Sequence, residues 1–232
     1  MSILRMPFGR LRFKNLLFSL LAVLLVYPAV SDRSVAGRVF AVFFSWLILS
    51  AGYASAKGSP ARRMTAIILG VPATAAIWFE QYSQSFGADL ANYILVTGFF
   101  FFVAISLMIH IMRSEKITTD TLAGAASVYL LLGISWAFLY SFLEFLVPGS
   151  FNAPEGLIFA GKSNWSAFTY FSFTTLTTTG YGDITPVTLR GQSLAIVESV
   201  TGVLFTALLI SRLVGMYIFH ATKEGAGDKP VK

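Results

Sequence analysis

The sequence predicts an all-α integral membrane protein of six transmembrane helices plus a re-entrant pore helix and a glycine-punctuated loop. Three observations predict it. Charged residues are 12% of the 232 and hydrophobic ones 56%, whereas a soluble domain carries about 25% charged. Six apolar runs approach the ~20 residues that a helix needs to span a bilayer. A seventh, Trp165–Leu176, is too short to cross and runs into Thr- and Gly-rich backbone, which suits a segment that enters and leaves on one side.

The six runs are Leu16–Val30, Val39–Ala54, Met64–Trp78, Leu90–Met112, Leu122–Val147 and Gln192–Phe219. The first three are short or interrupted, by Pro28, Gly52 and Pro72. The first follows Arg5, Arg10, Arg12 and Lys14, as the core of a signal peptide would. Ser31-Asp32-Arg33 comes after it with no small-residue cleavage pattern, and more spans follow, so it reads as a retained helix.

Net charge is +6, yet the basic residues sit in short loops and tails, which argues against nucleic acid as a partner and for membrane lipids. Thirteen of the 17 Lys and Arg fall on one side: the N-terminal four, then Lys57, Arg62, Arg63, Arg113, Lys116, Arg212, Lys223, Lys229 and Lys232. Only Arg33, Arg38, Lys162 and Arg190 fall on the other. By the positive-inside rule both termini are cytoplasmic and Pro148–Trp165 is external, in a multi-pass protein of the cell membrane. Tyr27, Trp78, Tyr82 and Tyr140 fall near the expected interfaces, where amphipathic rings settle. The chain has no cysteine, which excludes disulfides and thiolate metal sites and leaves the redox compartment open.

The stretch that carries chemistry is Thr174-Thr175-Leu176-Thr177-Thr178-Thr179-Gly180-Tyr181-Gly182-Asp183. A dehydrated cation needs several oxygens at once in place of its water, and extended backbones can supply them as rings of carbonyls. Aiming successive carbonyls one way calls for left-handed backbone, which glycine adopts at no steric cost. Gly180 and Gly182 alternate with side-chain residues accordingly. Carbonyls of Thr178, Thr179, Gly180 and Tyr181 are the expected K⁺ sites, with the Thr178 hydroxyl adding an innermost ring. K⁺ would be a permeant ligand, and no cofactor is expected. One chain supplies one strand of such a ring, so the motif implies four-fold closure of a homotetramer.

This stretch resembles the signature Thr-Val-Gly-Tyr-Gly-Asp of the potassium channels, with Thr179 in place of the usual Val or Ile. Residues Trp165–Val214 are similar to the pore helix, filter and inner helix of the bacterial and voltage-gated-like members. The resemblance implies a pore domain over 116–220: outer helix 122–147, pore helix 165–177, filter 178–183 and inner helix 192–219. It would leave a four-helix, voltage-sensor-like domain over 1–115, matched only in helix number and topology, and a short tail over 221–232. In many family members a Glu at the Thr174 position bonds the Asp after the filter. Here Asp183 must find another partner, and Trp165, Tyr170 and the backbone near Asn164 are the candidates. Thr174, Thr175 and Thr177 are placed to tie the filter to the pore helix, and the hydroxyl of Thr179 needs a partner of its own. Glu144 lies where related channels carry an acid that caps pore-region amides; a solvated interfacial carboxylate is the alternative.

An intramembrane acid is a functional candidate. Glu198 either faces the cavity and concentrates cations or packs behind the filter against pore-helix hydroxyls. Gly202, twenty residues after Gly182, stands where the family places a hinge. Val203, Thr206, Ile210 and Val214 recur on one face after it, as a pore lining or as ordinary packing, with Ile210 and Val214 as a hydrophobic gate.

Voltage sensing needs several basic residues along the fourth helix, each worth about 2.3 kcal/mol per 100 mV. None appears there before His110 and Arg113, so little voltage dependence is expected. His110 and His220 read as interfacial residues. Regulation would fall to the filter, lipids, ligands, membrane tension or a separate subunit. Competing readings are a less selective monovalent cation channel and, more remotely, a K⁺ transporter subunit, although such transporters are built of paired discontinuous helices in two related halves. No base, nucleophile and metal ligands converge as in an enzyme.

Overall fold

The structure is a computed structural model that describes residues 12–26, 33–55, 60–80, 85–114, 118–154 and 165–227. Arg5, Arg10, Tyr27, Pro28, Lys57, Tyr82, Lys116, Lys162, Asn164, Lys229 and Lys232 lie outside them, as do the side chains of His220 and Lys223. The order is α1 Arg12–Val26, α2 Arg33–Ser55, α3 Pro60–Glu80, α4 Phe86–Met112, α5 Thr119–Leu146, β1 Phe151–Asn152, α6 Trp165–Leu176, β2 Thr185–Pro186 and α7 Leu189–Gly227. Two helix starts follow from local chemistry. Ser85 and Thr118 accept from the amides of Ala88 and Thr121, and Asp89 and Asp120 sit in the first turns against the positive helix ends.

The described helices can be set beside the expected runs. Among the described residues, three helices are long and apolar enough to cross a membrane: Phe86–Met112, Thr119–Leu146 and Leu189–Arg212. Phe13–Leu25 and Ala41–Ala54 are shorter apolar helices. In α3, Arg62, Arg63 and Glu80 at the ends and Ala and Thr between them dilute its apolar character. Pro72 and Gly52 interrupt nothing, since α3 and α2 run through them. The helix expected over 165–177 stops at Leu176, and the one expected over 192–219 runs from Leu189 to Gly227, so the first part of the expected tail is helical.

Helix α5 is the spine, with α1, α4 and α6 packed along it, while α2 and α3 complete the outer bundle. Where lipid is no worse a solvent than a side chain, helices hold together by close packing and shared hydrogen bonds. An aromatic line does this between layers. Phe44 of α2 meets Phe100 of α4, Phe138 of α5 and Trp165 of α6 edge-on, at centroid distances of 5.9, 5.6 and 5.0 Å. The outer bundle thus touches the first residue of α6 directly. Trp46 and Trp78 donate to Ser19 and Ser45 at 3.0 Å each, stitching α2 to α1 and α3 to α2. Trp78 therefore has an inter-helix partner besides any interfacial role. Tyr140 is corrected outright: it is fully buried and belongs to no interfacial belt.

Helix α7 is the opposite case. It packs on α6 and α5 by one edge, and Ile196, Val200, Val203, Leu204, Ile210 and Val214 are each more than half exposed.

Candidate functional site

The site is built where α6 ends. Its last carbonyls have no further helical turn to accept from, and the following loop folds back to use them. The amide of Thr178 donates to Thr175 O at 2.9 Å, and those of Thr179 and Gly180 donate to Thr174 O at 2.8 and 3.1 Å. Main-chain carbonyls of Thr174 and Thr175, rather than their hydroxyls, thus tie the loop to the helix. With the amides engaged in this way, no hydrogen bond reaches the carbonyls of Thr178 to Tyr181 among the described residues.

Backbone angles alternate. Thr178, Gly180 and Gly182 have φ of 59°, 52° and 80°, while Thr179 and Tyr181 between them stay outside the left-handed region. The two glycines meet the sequence expectation. Thr178 departs from it, because a β-branched residue at positive φ costs about 1–3 kcal/mol and persists only where its surroundings hold it. The bond to Thr175 is one such restraint.

Side chains behind the loop are paired. The hydroxyls of Thr177 and Thr179 lie 2.9 Å apart, and Thr177 also donates to Phe173 O at 2.7 Å. Thr179 therefore has the partner its hydroxyl requires. Tyr181 stacks on Tyr170 of α6, with the rings 6.2 Å apart and nearly parallel. Tyr170 donates to Asp183 Oδ2 at 2.7 Å, so of the three candidate partners Tyr170 is the one that meets Asp183. That donation holds the Asp183 carboxyl below the usual carboxylate range. Beyond it, β2 pairs antiparallel with β1, Pro186 opposite Phe151. Glu144, buried, accepts from the amides of Gly149 at 2.7 Å and Phe151 at 3.2 Å. It caps the turn into β1 and is no solvated surface acid.

Glu198 is fully buried, with partners on α5 and α6. Tyr140 donates to its Oε2 at 2.6 Å, and Ser172 Oγ lies 2.5 Å from its Oε1 and 2.7 Å from Gly133 O. Sequence reasoning misses Tyr140 and Ser172 as functional neighbours. Close approach makes the network fit: a Cβ on Gly133 would stand 2.7 Å from the Phe173 ring. One turn on, Gly202 is buried, and a Cβ there would stand 2.0 Å from Leu176 O. Gly202 is thus a contact point with α6, and α7 passes through it unbroken. Val203, Ile210 and Val214 stay exposed, while Thr206 donates to Gly202 O at 3.0 Å. Further along α7, Arg212 donates to Ser114 O beyond α4. His110 is placed 5.8 Å from the Phe13 ring. Among the described residues no cluster of His, Cys, Asp and Glu suits a metal.

Comparison with known proteins bears on this arrangement. Residues 116–218 match the ion channel family model. Every site residue from Thr174 to Val214 falls within the matched segment. Over 67 residues the chain is 35% identical to potassium channel subfamily K member 1 of Bos taurus and of Homo sapiens, covering 28% of this chain and 20% of each relative. The chain thus matches about a fifth of the length of those curated relatives. No solved structure matches it. Ion-channel similarity and long apolar helices together support a multi-pass membrane protein with a segment similar to the ion channel family.

Proposed function

We propose that four copies of this chain form a passive potassium-selective channel whose filter is Thr178–Gly182. The observation that carries the reading is the alternation of left-handed backbone at residues 178, 180 and 182, with the amides of Thr178, Thr179 and Gly180 turned back onto α6. That geometry leaves a row of main-chain carbonyls available to replace water around K⁺ at Thr178, Thr179, Gly180 and Tyr181. The relatives' name, potassium channel, supports the choice of ion. The exposed apolar face of α7 supports closure by further copies, since Val203, Ile210 and Val214 need cover or a pore to line. The C-terminal end of α6 directs its negative dipole at that cavity and favours a cation. Six spans with both termini cytoplasmic, the gate at Ile210 and Val214, and weak voltage dependence complete the reading. No Lys or Arg occurs between Phe86 and Met112 to move in the field.

Reconstituted protein should carry a K⁺ flux that barium blocks. Gly180→Ala should abolish the flux with tetramers intact, because alanine resists the φ of 52°. Unchanged flux in that variant, or a monomer in the bilayer, defeats the reading. A less selective monovalent cation channel is the second reading, favoured by the Thr177–Thr179 hydroxyl pair where an aliphatic side chain is usual. Bi-ionic potentials in K⁺ and Na⁺ separate the two.

A further inference from the structure

The network around Glu198 holds three short contacts: Tyr140 to Glu198 at 2.6 Å, Ser172 to Glu198 at 2.5 Å, and Ser172 to Gly133 O at 2.7 Å. An ionised Glu198 would leave two protons for them, one on each hydroxyl. The single proton of Ser172 would have to serve both a carboxylate oxygen and a carbonyl. One contact would then set lone pair against lone pair at hydrogen-bond distance. Burial compounds the difficulty. Glu198 has no exposed surface, and no Lys, Arg or His donates to it among the described residues. The groups that face it are the hydroxyls of Tyr140 and Ser172, with the Tyr129 hydroxyl nearby on α5, bonded to Leu176 O at 3.4 Å. An unpaired carboxylate in such a place is expensive.

We propose that Glu198 is held as a neutral carboxylic acid, donating its proton to Ser172. The protons then form a directed chain. Tyr140 O–H donates to Glu198 Oε2, Glu198 Oε1–H donates to Ser172 Oγ, and Ser172 O–H donates to Gly133 O. All three contacts are satisfied, and the chain joins α5, α6 and α7 two residues before Thr174, whose carbonyl holds the amides of Thr179 and Gly180. Ser199 and Gly202 continue the same seam, at Thr175 O and Leu176 O. Glu198 is thus a positioning residue that sets the height of α6 through a donated proton. This state follows from the network alone; only its effect on flux rests on the potassium-channel reading.

Infrared difference spectra test the state directly. Wild type minus Glu198→Gln, as the full chain in lipid at neutral pH, should show the carbonyl stretch of a protonated acid, shifted in Ser172→Ala. A difference containing only carboxylate bands overturns the proposal. Glutamine can donate to Ser172 and accept from Tyr140 as the neutral acid does. Flux in Glu198→Gln should therefore stay within about twofold of wild type, while Glu198→Ala loses about tenfold or more, tenfold being ~1.4 kcal/mol. A Gln variant that falls as far as the Ala variant also overturns it. Should the wild type conduct nothing, the spectra still decide, so failure of the two readings is distinguishable.

Discussion

Tyr170 and Asp183 join α6 to the exit of the candidate filter: the phenol donates to the carboxylate at 2.7 Å while its ring lies parallel to Tyr181. One side chain thereby restrains two of the last three residues of the motif. The bond favours ionised Asp183 and depresses its carboxyl. The stabilisation is present above the ordinary carboxylate value of about 3.9 and is lost as pH falls through the lower, folded value. External acidification should leave flux unchanged until below that ordinary value. Tyr170→Phe removes the principal cause of the depression, so acid loss of flux should begin at a higher pH. An unmoved acid limb in liposome flux assays would separate the pair from filter stability.

Gly202 should reject any side chain. In Gly202→Ala the methyl would stand 2.0 Å from the carbonyl oxygen of Leu176, a backbone atom that cannot step aside. Overpacking costs about 1–3 kcal/mol even where side chains yield, so tetramer yield and flux should both fall. Gly215, where an added methyl would meet nothing within 4 Å, provides the control, and Gly215→Ala should be close to neutral. Equal behaviour of the two variants would favour the hinge.

The hydroxyls of Thr177 and Thr179 should couple. A hydrogen bond of this kind contributes about 0.5–1.5 kcal/mol net. A double-mutant cycle with Thr177→Val and Thr179→Val, read by thermal dissociation of the oligomer, should return an interaction of that size. An additive cycle would mean that the 2.9 Å pair contributes nothing to the filter.

Removing Glu144 should unsettle the turn into β1. Its carboxylate serves the amides of Gly149 and Phe151, and an unsatisfied buried amide costs about 1–3 kcal/mol. Glu144→Ala should lower the melting temperature clearly more than Glu144→Gln, which keeps one acceptor. Differential scanning of the two variants in detergent checks the order.

The glycine-punctuated motif was legible because its requirement is local. Left-handed backbone at Gly180 and Gly182 follows from the absence of a Cβ, whatever packs nearby. Tyr170 as partner of Asp183 was within reach for the same reason, being thirteen residues away on a helix that ends at the motif. Apolar run length likewise located α4, α5 and α7.

What the sequence by itself determined is therefore the membrane character of the chain and the place of its glycine-punctuated loop, since both depend on composition and short-range backbone sterics. Tertiary structure alone decided the role of Glu198, whose partners Tyr140 and Ser172 lie 58 and 26 residues away. It also placed Gly202 against the Leu176 carbonyl, a contact that no pattern in the sequence announces because it depends on how α6 and α7 pack.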